Sequence, residues 1–150
     1  MSNPHYVRVF PGSPLPDISS FVPFRAVVVI AGEYSIEWQN EVSEWLVASG
    51  CLYMMAWGSD CSSWDDSVDY ANMFAFPDYE IPDDKFVMTT WHERETLESV
   101  FWYAQNCASF SYNDQPLDQT VILDICDHDR REWHMSLFKR SETLAEREPE

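Results

Sequence analysis

Basic residues are scarce in this chain of 150 residues. Nine Lys and Arg stand against 26 Asp and Glu, a net charge of −17 at pH 7. Only Arg8, Arg25, Lys85 and Arg94 fall in the first 129 residues, which hold 21 acids; the last 21 residues hold five of each. Binding to a phosphate backbone needs clustered Lys and Arg that release counterions, so direct nucleic-acid binding is not expected. An anionic membrane surface repels such a chain for the same reason. The partner class that this charge favours is a basic protein, beside the plain gain in solubility.

Other absences narrow the reading further. No apolar run approaches the roughly 18 residues of a membrane span. The opening Met-Ser-Asn-Pro-His-Tyr lacks the charged and apolar regions of a signal peptide. The four cysteines, Cys51, Cys61, Cys107 and Cys126, include no CxxC pair, which excludes a zinc ribbon. Reduced thiols and a cytoplasmic location are expected. The first strand-to-helix turn, Ala31-Gly-Glu-Tyr-Ser35, has neither GxGxxG nor a P-loop pattern, and Glu33 stands where a phosphate would go.

What is present is a core. Seven Trp, seven Tyr and nine Phe give far more burial than a disordered chain carries, and the length suits one domain. Pro11, Pro14, Pro16 and Pro23 mark residues 1–23 as a proline-rich arm, in which Tyr6–Phe10 reads as an edge strand. Residues 24–140 read as a single α/β domain, and 141–150 as a charged, frayed tail.

Four strands are predicted at Phe24–Ala31, Cys51–Trp57, Phe86–Trp91 and Thr120–Cys126. Helices follow each of them. Ser35 and Thr96 read as N-caps, and Ser62–Asp66 and Asp129–Glu132 resemble capping boxes. This alternation predicts a three-layer α/β/α sandwich around a mainly parallel four-stranded sheet, with an N-terminal edge strand in addition. The expected order of the four is 2-1-3-4, in the flavodoxin style.

Such sheets place their sites beyond the carboxyl ends of the strands. The groups expected there for binding are Glu33, Tyr34, Trp57, Asp60, Trp91, His92, Glu93 and Asp127, an acidic and aromatic rim suited to anchoring a partner. An alternative takes Asp60, His92, Asp127 and Asp129 as ligands of a divalent metal, with His128 as a base; these acids serve equally well as helix caps. Cys61, just before a helix, is the candidate nucleophile, although the acids around it disfavour a thiolate. Crowding along Asp60–Asp69 and Asp78–Asp84 is expected to raise carboxyl pKa values.

The segments Gly50-Cys-Leu-Tyr-Met-Met-Ala-Trp-Gly58, Asp60-Cys-Ser-Ser-Trp-Asp-Asp-Ser-Val-Asp69 and Phe86-Val-Met-Thr-Thr-Trp-His-Glu93 resemble those of a family of small uncharacterised bacterial α/β proteins. The similar region spans roughly residues 26–127. The resemblance implies a bacterial cytosolic protein and carries over no catalytic residue. The expected function is that of a non-enzymatic, cofactor-free acidic module, immunity-, antitoxin- or accessory-subunit-like, recognising a basic protein. The alternative is a metal-dependent hydrolase.

Overall fold

The computed structural model describes residues 3–147, so the extreme ends of the expected arm (residues 1–2) and tail (148–150) lie outside the described residues. The strands are β1 (His5–Val9), β2 (Phe24–Ile30), β3 (Cys51–Gly58), β4 (Met88–Trp91) and β5 (Gln119–Ile125). The helices are α1 (Ile36–Ala48), α2 (Cys61–Phe74), α3 (Leu97–Asn106), α4 (Arg131–Ser141) and α5 (Leu144–Arg147). Among the described residues no helix is long and apolar enough to cross a membrane.

The sheet has five strands, all parallel, in the order β1-β5-β2-β3-β4. The N-terminal segment is therefore part of the sheet, with His5–Val9 in register with Val121–Ile125. The expected order 2-1-3-4 is overturned. It would put Cys51–Trp57 and Thr120–Cys126 at the edges of the four, whereas β3 has β2 and β4 as neighbours and β5 has β1 and β2. The chain instead places at the edge the short β4, whose Thr89 and Thr90 tolerate partial exposure.

β2 lies at the centre and every one of its residues is buried. Successive side chains of a strand point to opposite faces, and the core divides accordingly. Ala26, Val28 and Ile30 pack with Val42 and Leu46 of α1 and Trp64 and Val68 of α2. Val27 and Val29 pack with Val100, Phe101 and Ala104 of α3 and Phe138 of α4.

The helix starts are built by short side-chain contacts. Ser35 and Thr96 cap as expected, their hydroxyls accepting from the amides of Trp38 and Ser99. The other two starts differ from the expected capping boxes. α2 begins one residue after Asp60, which is left-handed (φ 53°) and makes no side-chain cap. α4 begins after Arg130, and Asp129 instead accepts from the Arg131 amide at 2.8 Å. Beyond Ser141 the chain turns into α5, where Leu144 is buried and Arg147 pairs with Glu98.

The β3–α2 turn fixes where α2 starts. The Ile30 carbonyl accepts from the Ser59 amide at 3.0 Å, and Gly58 sits beside it with φ 111°. A Cβ on Gly58 would lie 2.2 Å from that same oxygen. Gly58→Ala should therefore destabilise the fold by at least about 1 kcal/mol, through a left-handed side chain and a backbone clash together. Urea denaturation checks this; an unchanged midpoint would mean that the turn is not held against β2.

Candidate functional site

A parallel sheet gathers the carboxyl ends of its strands along one rim, and the expected binding residues all leave from it. They divide into two groups. Glu33, Asp60, Trp91, Glu93 and Asp127 are exposed, with Trp91 52% accessible. Tyr34, Trp57 and His92 are committed to internal contacts. The Trp57 indole donates to the Glu95 carbonyl at 2.7 Å. His92 is buried, with Nδ1 2.9 Å from Glu95 Oε2 and Nε2 2.9 Å from Thr90 Oγ1. Both ring nitrogens are thus occupied, and the residue pins the loop after β4.

The connections switch sides between the parallel neighbours β2 and β5, because α1 leaves one face of the sheet and α4 the other. A ligand crevice is expected at such a switch point. Here the Tyr34 hydroxyl reaches across it and donates to the Ile125 carbonyl at 3.2 Å. On the β5 side, His128 Nδ1 lies 3.3 Å from the buried Cys126 sulfur and 2.9 Å from Asp127 Oδ1. Contact with His128 holds the Asp127 carboxyl below its ordinary range. His128, the candidate base, thus pairs with Cys126, which reads from sequence as a core residue.

Cys61, the candidate nucleophile, is 3% exposed, and burial pushes its thiol pKa up although the His92 backbone amide opposes this. A raised thiol pKa leaves little thiolate. Among the described residues, two groups of three hold ligand atoms within 4.8 Å of one another: Cys126, Asp127 and His128, and Asp65, Asp66 and Asp69. Asp60, His92 and Asp129 of the expected metal set are in neither.

One polar cluster escaped sequence reading. The fully buried Asp124 of β5 accepts from the Tyr6 hydroxyl at 2.5 Å and from Arg130 at 2.5 and 3.2 Å. His134 Nε2 of α4 lies 3.2 Å from the same carboxylate, in ion-pair reach but off the line of a hydrogen bond. Tyr6 in turn accepts from the Arg130 amide at 3.0 Å. The cluster joins β1, β5 and α4 directly behind the Cys126–Asp129 loop. The only sequence signal is an Asp inside an otherwise apolar strand.

A cavity of about 670 Å³ opens at the opposite end of the sheet. Val22, Val47, Leu52, Ala71 and Phe74 give it an apolar lining, and Glu44, Asp84 and Lys85 stand around it. Phe74, 60% exposed, stacks on Tyr70 at 5.9 Å and meets Tyr79 edge-on at 5.4 Å. The carboxyl ends of α1 and α2 both reach this groove, and neither carries a basic residue in its last turn. Sequence reading missed it because its walls come from five separate segments.

Asp124 gives the fold an acid-sensitive point. Burial alone would raise its pKa, but His134, Arg130 and Tyr6 outweigh burial and hold the carboxyl well below the usual range. A depressed pKa contributes stability that is present above the unfolded value of about 3.9 and is lost as pH falls below it. Asp124→Asn should cost about 3–5 kcal/mol at pH 7, because Arg130 is left without its partner. Melting scans from pH 7 to pH 2 should also show a shallower acid loss in the variant. Parallel profiles would mean that Asp124 does not supply the acid sensitivity.

No curated protein and no solved structure matches this chain. A family model described as a domain of unknown function (DUF7684) matches residues 4–141, from β1 to the end of α4. The chain belongs to that family.

Proposed function

We propose that this protein is a non-enzymatic acidic binding module that recognises a basic, amphipathic segment of another protein, with the groove at the amino ends of β2 and β3 as its contact surface. The observation that carries this reading is the meeting of two helix carboxyl termini, without basic residues, at an apolar opening. A helix carboxyl end bears a partial negative charge and favours a nearby cation. Glu44 and Asp84 add two full negative charges at the groove's wall against the single positive charge of Lys85. Exposed Phe74 and Tyr70 supply apolar area, which marks an interaction surface when it is contiguous.

The charge of the body supports the same reading. Among the described residues, only Glu95, Glu98, Asp124 and Asp127 meet a basic or His side chain, so most of the acids are left for an external cation. The rim at the other end carries acids and Trp91, but three of its expected anchors are held by internal contacts. It is the weaker surface. A cytoplasmic accessory, immunity or antitoxin role in a bacterium fits a module of this kind. The hydrolase reading has less support, because the ring nitrogens of His92 are occupied and Cys61 is buried.

The test uses a labelled synthetic helix with leucines on one face and lysines on the other, measured by fluorescence anisotropy. The peptide should bind, and the affinity should fall steeply as NaCl rises. Phe74→Asp should weaken binding at least tenfold even though it makes the protein more negative, because the apolar anchor is lost. A purely polyelectrolyte attraction would leave that variant as tight as the parent or tighter. That result, or equal binding of oligolysine, would overturn the reading.

A further inference from the structure

Asp65 stands out among the acids because it is buried, at 3% exposure, and its Oδ2 has no hydrogen-bond partner. A buried polar atom without a partner costs about 1–3 kcal/mol, more when charged, so a native structure seldom leaves one unoccupied. Asp65 lies in the second turn of α2, over the edge strand β4. The residue of β4 that faces α2 there is Thr89, whose hydroxyl donates to Asp69 Oδ1 at 2.7 Å. Asp66 and Asp69 complete a group in which one oxygen from each carboxylate lies within 4.8 Å of the others.

We propose that Asp65, Asp66 and Asp69, with the Thr89 hydroxyl beside them, form a binding site for one hard divalent cation, Ca²⁺, Mg²⁺ or Mn²⁺, where α2 crosses β4. The donor set selects the class of ion. It is all oxygen, with no imidazole or thiolate, which suits hard cations and disfavours zinc or copper. Asp66 and Asp69 are exposed and leave a solvent-open side for the waters that Mg²⁺ retains. The cation would give the buried Asp65 carboxylate a partner and remove the repulsion among three carboxylates held together by one helix.

Burial first, then the neighbouring Asp69 charge, raises the Asp65 carboxyl to about 6. Burial, not the crowding expected along Asp60–Asp69, is thus the larger cause at this position.

The competing account is an apo site satisfied by a proton shared between Asp65 and Asp69. Calorimetric titration and melting scans of the full-length protein at pH 7.5, with CaCl₂, MgCl₂ and MnCl₂ against NaCl of matched ionic strength, separate the two. The expected result is one bound ion per chain for at least one of these metals. The melting temperature should rise by about 5 °C at a hundredfold excess over Kd. Asp66→Asn and Asp69→Asn, both at exposed positions, should fold and lose the metal-dependent part of the rise. A rise no larger than that given by NaCl would overturn the proposal, as would the same rise in both variants.

Discussion

The buried Asp124 carboxylate is the constraint on which the rest of this structure depends. It sits inside β5, and a charge at that depth requires partners on every side. Tyr6 comes from β1, 118 residues away in sequence, while Arg130 and His134 come from the start of α4. Satisfying one carboxylate therefore adds the fifth strand to the sheet and sets where α4 begins. It also holds the loop with Cys126, Asp127 and His128 beside the switch point. The tyrosine that spans that crevice, Tyr34, is anchored on the last carbonyl of the same strand.

The strands were legible where burial on both faces forces a continuous apolar run rich in β-branched residues, as in Ala26–Ile30 and Val121–Leu123. The Ser35 and Thr96 caps were legible because a hydroxyl at a helix start has one strong local use. Strand order was not legible, because hydrophobic pattern reports how many faces are covered and not which neighbour covers them. Its one clue, the polar Thr89 and Thr90, marks β4 as the edge. The contacts of the last described segment were not legible for a related reason: Ser141–Arg147 is polar in composition, and the burial of Leu144 and the pairing of Arg147 with Glu98 come from distant partners.

The candidate sites show a sharper division. Residues at strand ends could be named in advance, since topology alone puts them on one rim. What sequence does not give is whether a named group is free. His92 and Trp57 look available as residue types and are spent on Glu95. Asp65 looks like one more surface acid in an acidic run, yet it is buried on α2 with an oxygen unpaired. α2 thus carries two features along its length, a carboxylate cluster in its first half and the exposed Tyr70–Phe74 stack in its second. The charge of −17 underlies both, since so few of the acids are neutralised within the fold.

The central claim is that a cationic partner is received at the amino ends of the strands and not at their carboxyl rim. Backbone amide shift mapping by NMR, with the leucine–lysine helix added in steps, addresses this most directly. The account predicts that the largest perturbations fall at Val22, Val47, Leu52 and Phe74, with Glu33, Asp60, Trp91 and Asp127 nearly unmoved. Perturbations concentrated on that second set, or spread evenly over every acidic surface, would contradict it.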